Sequence, residues 1–380
     1  MILFLLLSSL TAFALETEFS GSGELQYRNS RNNPEADKYF QTWKKTEAKI
    51  FLGQVGVKVQ HQHHSVESNL FVRYLETPLL RNPNNLAPKF YLFPQRMVVR
   101  DLFNLKASQT SSRERVEALP TKLFYQIELE KFRVEIGRVY LTYGQGEIFN
   151  PINPFNQPTA LNASAQVAQG NDGGTLTYFA SQKHDLHLSI FGDKSQGETQ
   201  KTFWFRTNSR LSDQLSLMLV GGEDQKRKKA GAEVTYQGEE ALYFSQIFYQ
   251  KNALDQESFD FLLGLDQQLH SLWHLRVEAG HQKRFKKNVS SDTNRFLPTE
   301  TFLSIGNQIE ITPLLKQQVT FIYDLKSSFA YGVLKTVYEV RQDLEIEGFF
   351  LGPALKGGKA SDPLQEIVTR DFGLALRGYF

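Results

Sequence analysis

Apolar and polar residues alternate along most of this chain in short segments of period two, the signature of strands with two different faces. In KLFYQIEL, Leu123, Tyr125, Ile127 and Leu129 fall on one face, and Lys122, Gln126 and Glu128 on the other. DLHLSIFG sets Leu186, Leu188 and Ile190 against His187 and Ser189, and QLSLMLVGG groups Leu215, Leu217 and Leu219. SFDFLLGLD aligns Phe259, Phe261, Leu263 and Leu265 opposite Asp260, Gly264 and Asp266. SLWHLRVEAGHQ opposes Trp273, Leu275, Val277 and Ala279 to His274, Arg276, Glu278 and Gly280. QVTFIYDLK repeats the pattern, with Val319, Phe321, Tyr323 and Leu325 against Thr320, Asp324 and Lys326. The chain still alternates where it stops: in DFGLALRGYF, Phe372, Leu374, Leu376 and Phe380 share one side.

The segments are joined in two ways. Tight turns are expected near Glu130-Lys131, Ser181–Asp185, Leu211–Gln214, Gln237–Glu240, Gln268–Ser271, Thr312–Lys316 and Arg341–Asp343. Longer polar stretches lie between them at 142–171, 193–199, 223–229, 251–257, 283–299 and 353–366. Short turns at one end and long loops at the other are the asymmetry of a transmembrane barrel. A sandwich does not require that alternation, and the fixed period of a β-helix is not found.

Composition agrees. The chain has 30 Phe and 15 Tyr, yet its mean hydropathy is −0.38. Lipid-facing aromatics alternating with polar lumen residues produce that combination. No segment after the N-terminus approaches the ~20 apolar residues of a membrane-spanning helix. Cysteine is absent, so disulfides, thiolate metal sites and cysteine nucleophiles are excluded. Forty-three basic and 41 acidic residues nearly cancel, so nothing points to nucleic acid. The first 14 residues, MILFLLLSSLTAFA, carry no charged side chain and end in a small-x-small step, which reads as a cleaved export signal. The mature chain, 15–380, is then expected to be an all-β, transmembrane antiparallel barrel. About sixteen strands follow Arg96, and three precede it (GELQYRNS, KTEAKIFLGQVGVKVQ and SNLFVRYLE). Both termini on one side require an even total, so either one strand is misread or another hides in KFYLFPQRMVV. Eighteen is the expected number, within bounds of sixteen and twenty.

With these features in place, FGLALRGYF resembles the terminal strand of Gram-negative outer-membrane β-barrels, which commonly ends in Phe after apolar residues at alternate positions. The resemblance implies that the barrel-assembly machinery reads Phe372, Leu374, Leu376 and Phe380. A second stretch, GRVYLTYGQGEIFNPINPFNQPTALN from Gly137, resembles a loop motif of porin-like outer-membrane proteins, G-R, then G-x-G, then N-P-x-N-x-F. The matching residues are Gly137, Arg138, Gly144, Gly146, Asn150, Pro151, Asn153 and Phe155, with Tyr143 where the motif has Trp. Glycines that permit close approach and Asn-Pro turns suit a loop folded into the lumen as a constriction, although an extracellular cap fits too.

The site expected from these readings is a pore. Its candidates are Arg138, Gly144, Gly146, Asn150, Asn153 and Phe155 in the loop, and Lys122, Arg206, His274, Arg276, Glu278, Asp324 and Lys326 on the wall. His61, His63 and His64 read as a solvated turn rather than a metal site, and KRKK at 226–229 as a solvated loop tip that touches lipopolysaccharide phosphates. No cofactor, metal or catalytic residue is expected. The partners are outer-membrane lipid, lipopolysaccharide, the assembly machinery and small hydrophilic solutes, with a homo-oligomer left open. The function expected is passive diffusion of small hydrophilic solutes or ions. The alternatives are a barrel without an open pore, serving structure or surface polysaccharide, and an outer-membrane enzyme.

Overall fold

The computed structural model describes residues 16–31, 46–76, 102, 107–111, 114–147, 149–153, 155, 170–194, 199–224, 227–251, 257–282, 301–325, 329–355 and 370–379. The expected export signal and Phe380 lie outside them. Nineteen strands form one sheet, every pairing between them antiparallel. In chain order they are β1 Glu16–Arg31, β2 Thr46–His61, β3 His64–Glu76, β4 Ala107–Thr110, β5 Glu114–Glu128, β6 Phe132–Val139, β7 Asn171–Ser181, β8 His184–Asp193, β9 Gln200–Arg210 and β10 Leu215–Asp224. They continue as β11 Arg227–Gln237, β12 Ala241–Lys251, β13 Glu257–His270, β14 Trp273–Gln282, β15 Thr301–Thr312, β16 Leu315–Asp324, β17 Phe329–Arg341, β18 Leu344–Leu355 and β19 Arg370–Tyr379. Neighbours in sequence pair in space, and β1 pairs with β19 from Ser22↔Tyr379 to Arg31↔Arg370, which closes the ring.

Eighteen strands make the barrel, because β4 stands outside the ring. Strand β3 pairs with β5 directly, while the four residues of β4 cover Arg115–Ala118 of β5, beyond the stretch that β6 occupies. This bears out the expected eighteen and explains why nineteen segments were counted in the sequence. Sixteen strands do follow Arg96, but one is a short flap. The suspected KFYLFPQRMVV segment lies outside the described residues.

The outward face is apolar by alternation. Leu186, Ile190, Leu219, Leu263, Trp273 and Phe321 are all exposed, as are Phe372, Leu374 and Leu376 of the closing strand. Residues between them point inward: Ser304 between Leu303 and Ile305, Glu278 between Val277 and Ala279, Ala375 between Leu374 and Leu376. An apolar side chain that stays exposed at every second position needs lipid against it.

All the expected tight turns are found, together with Gln62-His63 between β2 and β3, where Gln62 has φ +50°. The long loop runs 140–170 rather than 142–171. The stretch 223–229 is not a loop. Strands β10 and β11 are separated only by residues 225–226, and Glu223 lies opposite Lys228 in the ladder. Lys229 is buried, with Nζ 2.7 Å from Asp224 Oδ2. A run of charges reads as solvated loop by composition, but here opposite charges face each other across a hairpin and neutralise inward.

Replacing Leu263 by Arg should test the lipid face. An arginine there is expected to cost about 2–4 kcal/mol near the bilayer midplane and about 0–1 kcal/mol near an interface. Denaturant titration of the refolded protein in lipid bilayers measures it, and a gain in stability would contradict the outward assignment.

Candidate functional site

The described start of the 140–170 connection, residues 140–147, 149–153 and 155, packs on the inner wall of the barrel. Val139, Leu141, Tyr143, Ile152 and Phe155 bury themselves against Phe191 of β8, Trp204 of β9, Val220 of β10 and Phe248 of β12. Phe155 meets Phe191 and Trp204 edge-on, with centroids 5.4 and 6.0 Å apart. Phe149 reaches the other way, into a cluster of Phe244, Leu262, Phe302, Ile322, Tyr331, Val333 and Leu351 from β12 to β18. These wall residues belong to the inward set of their strands. They make the long-loop half of the inner wall apolar, so that water is squeezed out where the loop lies on it.

Local chemistry shapes the segment. Gly144 has φ +75°, a conformation that side-chain-bearing residues avoid. Gly146 needs no positive φ; it needs space, because a Cβ there would strike the Phe149 carbonyl oxygen and Leu262. Asn150 Nδ2 donates to the Tyr143 carbonyl (2.6 Å), Asn153 Nδ2 to Thr142 Oγ1 (3.0 Å), and the Phe155 N–H to Asn153 Oδ1 (3.2 Å). Burial pushes the Tyr143 hydroxyl up to about 12, so the ring stays neutral under the Arg206 guanidinium, 5.5 Å from its centroid.

The tip of the loop is polar and is held by the wall through its backbone. The Gln145 N–H donates to Glu233 Oε2 of β11 (2.9 Å) and the Glu147 N–H to Glu278 Oε1 of β14 (2.7 Å). Arg276 donates to the Gln145 carbonyl, to Glu278 Oε1 (2.9 Å) and to Asp266 Oδ2 (2.7 Å), and lies 3.5 Å from Glu147 Oε2. His274 bonds Asp266. The side chains of Gln145 and Glu147 stay exposed within the ring.

The pore-lining candidates therefore separate. Arg276, Glu278 and His274 lie together at the loop tip. Arg206 pairs with Asp185 (2.6 Å) beside Tyr143, and Lys122 with Glu67 (2.7 Å). Asp324 is buried on the inner wall, and Lys326 lies outside the described residues. Asn150, Asn153 and Phe155 are buried and set the loop's shape instead of facing solvent. Arg138 departs furthest from the expectation. It is fully enclosed, donates to both Asp172 oxygens (2.6 and 2.8 Å) and to the Pro120 carbonyl (3.1 Å), and shares its side of β6 with the exposed Ile136. Asp172 also accepts the Leu102 N–H (2.9 Å), which ties the β3–β5 connection to the wall. Gln145, Glu147, Glu233 and Asp266 were not among the pore candidates, although the alternation sets Asp266 opposite the apolar face of its strand and Glu233 too occupies an inward position.

Among the described residues no cluster of His, Asp and Glu is arranged to hold a metal. His187, the residue closest to a hydrolase arrangement, lies between Thr177 Oγ1 and Ser189 Oγ, both at 2.8 Å, buried in the wall.

No protein-family model matches the sequence, and no curated protein is similar to it. Solved structures do share its shape. A BenF-like porin from Pseudomonas fluorescens Pf-5 superposes with a TM-score of 0.61 at 9% identity, covering 96% of this chain and 98% of its own. OccAB4 of Acinetobacter baumannii gives 0.60 at 10%, covering 96% and 98%, and OccK7 of Pseudomonas aeruginosa 0.58 at 10%, covering 97% and 99%. The chain thus has the closed, 18-stranded antiparallel barrel fold of these porin structures along essentially its whole length.

Proposed function

We propose that the protein is an outer-membrane channel for passive diffusion of small hydrophilic solutes, with the 140–170 loop as its constriction. One observation carries this reading: inside a ring of eighteen strands, the loop turns an apolar back to the wall and a polar tip, Gln145 and Glu147, to the interior. A ring of this size is wider than its own side chains fill. A loop that narrows it without sealing it sets which solutes pass. The shared fold with structures described as porins supports the same reading.

The inner wall supplies paired charges rather than an activated nucleophile. A barrel without an open pore is the second reading, because the loop packs against the inner wall on two sides, through Phe155 on β8 and β9 and through Phe149 on β12 to β18. The outward band of β19 is the segment that the assembly machinery would read, and lipid and lipopolysaccharide are the surroundings of such a barrel.

Three outcomes are expected. The refolded protein should conduct in planar bilayers, and excising Gly144–Asn156 should raise single-channel conductance by about twofold or more, since the narrowest section dominates resistance. No conductance from the intact protein would favour the closed, structural barrel; an unchanged conductance after excision would make the loop a mere cap. Gly146→Val should displace the loop without harming assembly, giving noisier and larger currents, and a variant trace as quiet as that of the wild type would contradict the packing described. Mature protein should begin at Leu15; N-terminal sequencing that returned Met1 from outer membranes would refute export by cleavage.

A further inference from the structure

We infer that the constriction selects for cations, through a surplus of carboxylates gathered where the loop tip meets β11, β13 and β14. This rests on the channel reading above and adds its charge preference.

Four carboxylates converge on the tip: Glu147 on the loop, Glu233 on β11, Asp266 on β13 and Glu278 on β14. They share one guanidinium, that of Arg276, which contacts Asp266, Glu278 and Glu147. His274 bonds Asp266 as well. Even with Glu278 set aside, Glu147, Glu233 and Asp266 outnumber the guanidinium that they share, so among the described residues carboxylates are in surplus at the tip.

The anions differ in role. Glu233 accepts the Gln145 N–H and Gln246 Nε2 (2.6 Å), and Glu278 accepts the Glu147 N–H; both are buried and spend their oxygens on holding the loop. Glu147 is different. Its side chain is 51% exposed, and its one ion pair among the described residues is the 3.5 Å approach of Arg276. It is the carboxylate that a passing ion meets. A second feature points the same way: Gln246 is completely buried beside Glu233, gives its amide nitrogen to that carboxylate, and leaves Oε1 without a hydrogen-bond donor. A buried carbonyl oxygen next to carboxylates adds the negative end of its dipole to their field, which favours a cation over an anion at the tip. Within a low-dielectric wall, like charges of this kind raise the local concentration of counter-ions and repel co-ions.

The test is the reversal potential of the full mature protein in planar bilayers under a potassium chloride gradient. Wild type should favour potassium over chloride. Glu147→Gln should lower the permeability ratio about two- to fivefold, the effect of one charge about 4 Å from an ion in water. Glu147→Asp should restore most of it. A ratio at or below one in a conducting wild type overturns the inference but leaves the channel reading standing, as does a Glu147→Gln ratio identical to wild type. Wild-type protein that does not conduct overturns the channel reading and this inference with it. Spermine provides a readout that needs no variant: the tetravalent cation should block wild-type current, and currents indifferent to it would overturn the proposal.

Discussion

Backbone amides cannot be left unpaired in hydrocarbon, where each lost hydrogen bond costs several kcal/mol and no water is present to replace it. Everything in this chain follows from that constraint. A sheet with edges is inadmissible, so β19 must find β1, and the chain must keep alternating up to its last residues. The seam is also tied from inside. Arg377 of β19 donates to Glu24 of β1 (3.0 Å) and to Glu347 and Glu345 of β18 (3.3 and 3.4 Å). A second cation, Lys335 of β17, lies 2.8 Å from Glu347. One inward charge thus joins three strands across the closure, beneath an outer face that offers lipid only Phe372, Leu374 and Leu376.

Closure at eighteen strands creates the next problem. The ring is too wide for its own side chains to meet, so its interior would be a broad aqueous hole. The loop between β6 and β7 answers this by bringing its own core. Tyr143, Ile152 and Phe155 pack toward β8–β12, and Phe149 toward β12–β18. The barrel thereby has two kinds of inner wall, an apolar half beneath the loop and a polar half of paired charges toward the tight turns. Packing against the first positions the tip over the second.

The parts legible in the sequence were those governed by strict alternation. Lipid-facing sets such as Trp273, Leu275 and Val277 declare themselves, because lipid tolerates no exception on that face. The glycines and Asn-Pro steps mark the loop as a segment apart from the strands, but they do not say which glycine does what. Positive φ belongs to Gly144, while Gly146 is small because Phe149 lies against it. Three-dimensional cancellation hid other features. The charges of 223–229 look solvated until Lys229 and Asp224 are seen face to face, and Arg138 looks like a pore residue until Asp172, thirty-four positions later, encloses it. A signal for the inner apolar wall was present but unused. In Leu262-Leu263, Phe248-Tyr249, Ile322-Tyr323 and Phe349-Phe350 the alternation fails by adding an apolar residue on the lumen side. A membrane strand apolar on both faces must have protein within.

In the proposed channel the same atoms hold the loop and charge the pore, and this limits how it can vary. Glu233 and Glu278 accept backbone N–H groups of Gln145 and Glu147, bonds that any residue at those two positions except proline would make. The loop tip is therefore free to change its side chains while its path stays fixed. The wall carboxylates are not free in the same way, because losing either one would strand a buried amide and release the tip. A negative background is thus built into the anchorage itself. Adjustment of that field falls to the exposed side chains of Gln145 and Glu147, which carry little of the loop's stability. Anchoring by backbone and tuning by side chain separate the architecture of the constriction from its chemistry, so a fold of this kind can serve different solutes with few changes.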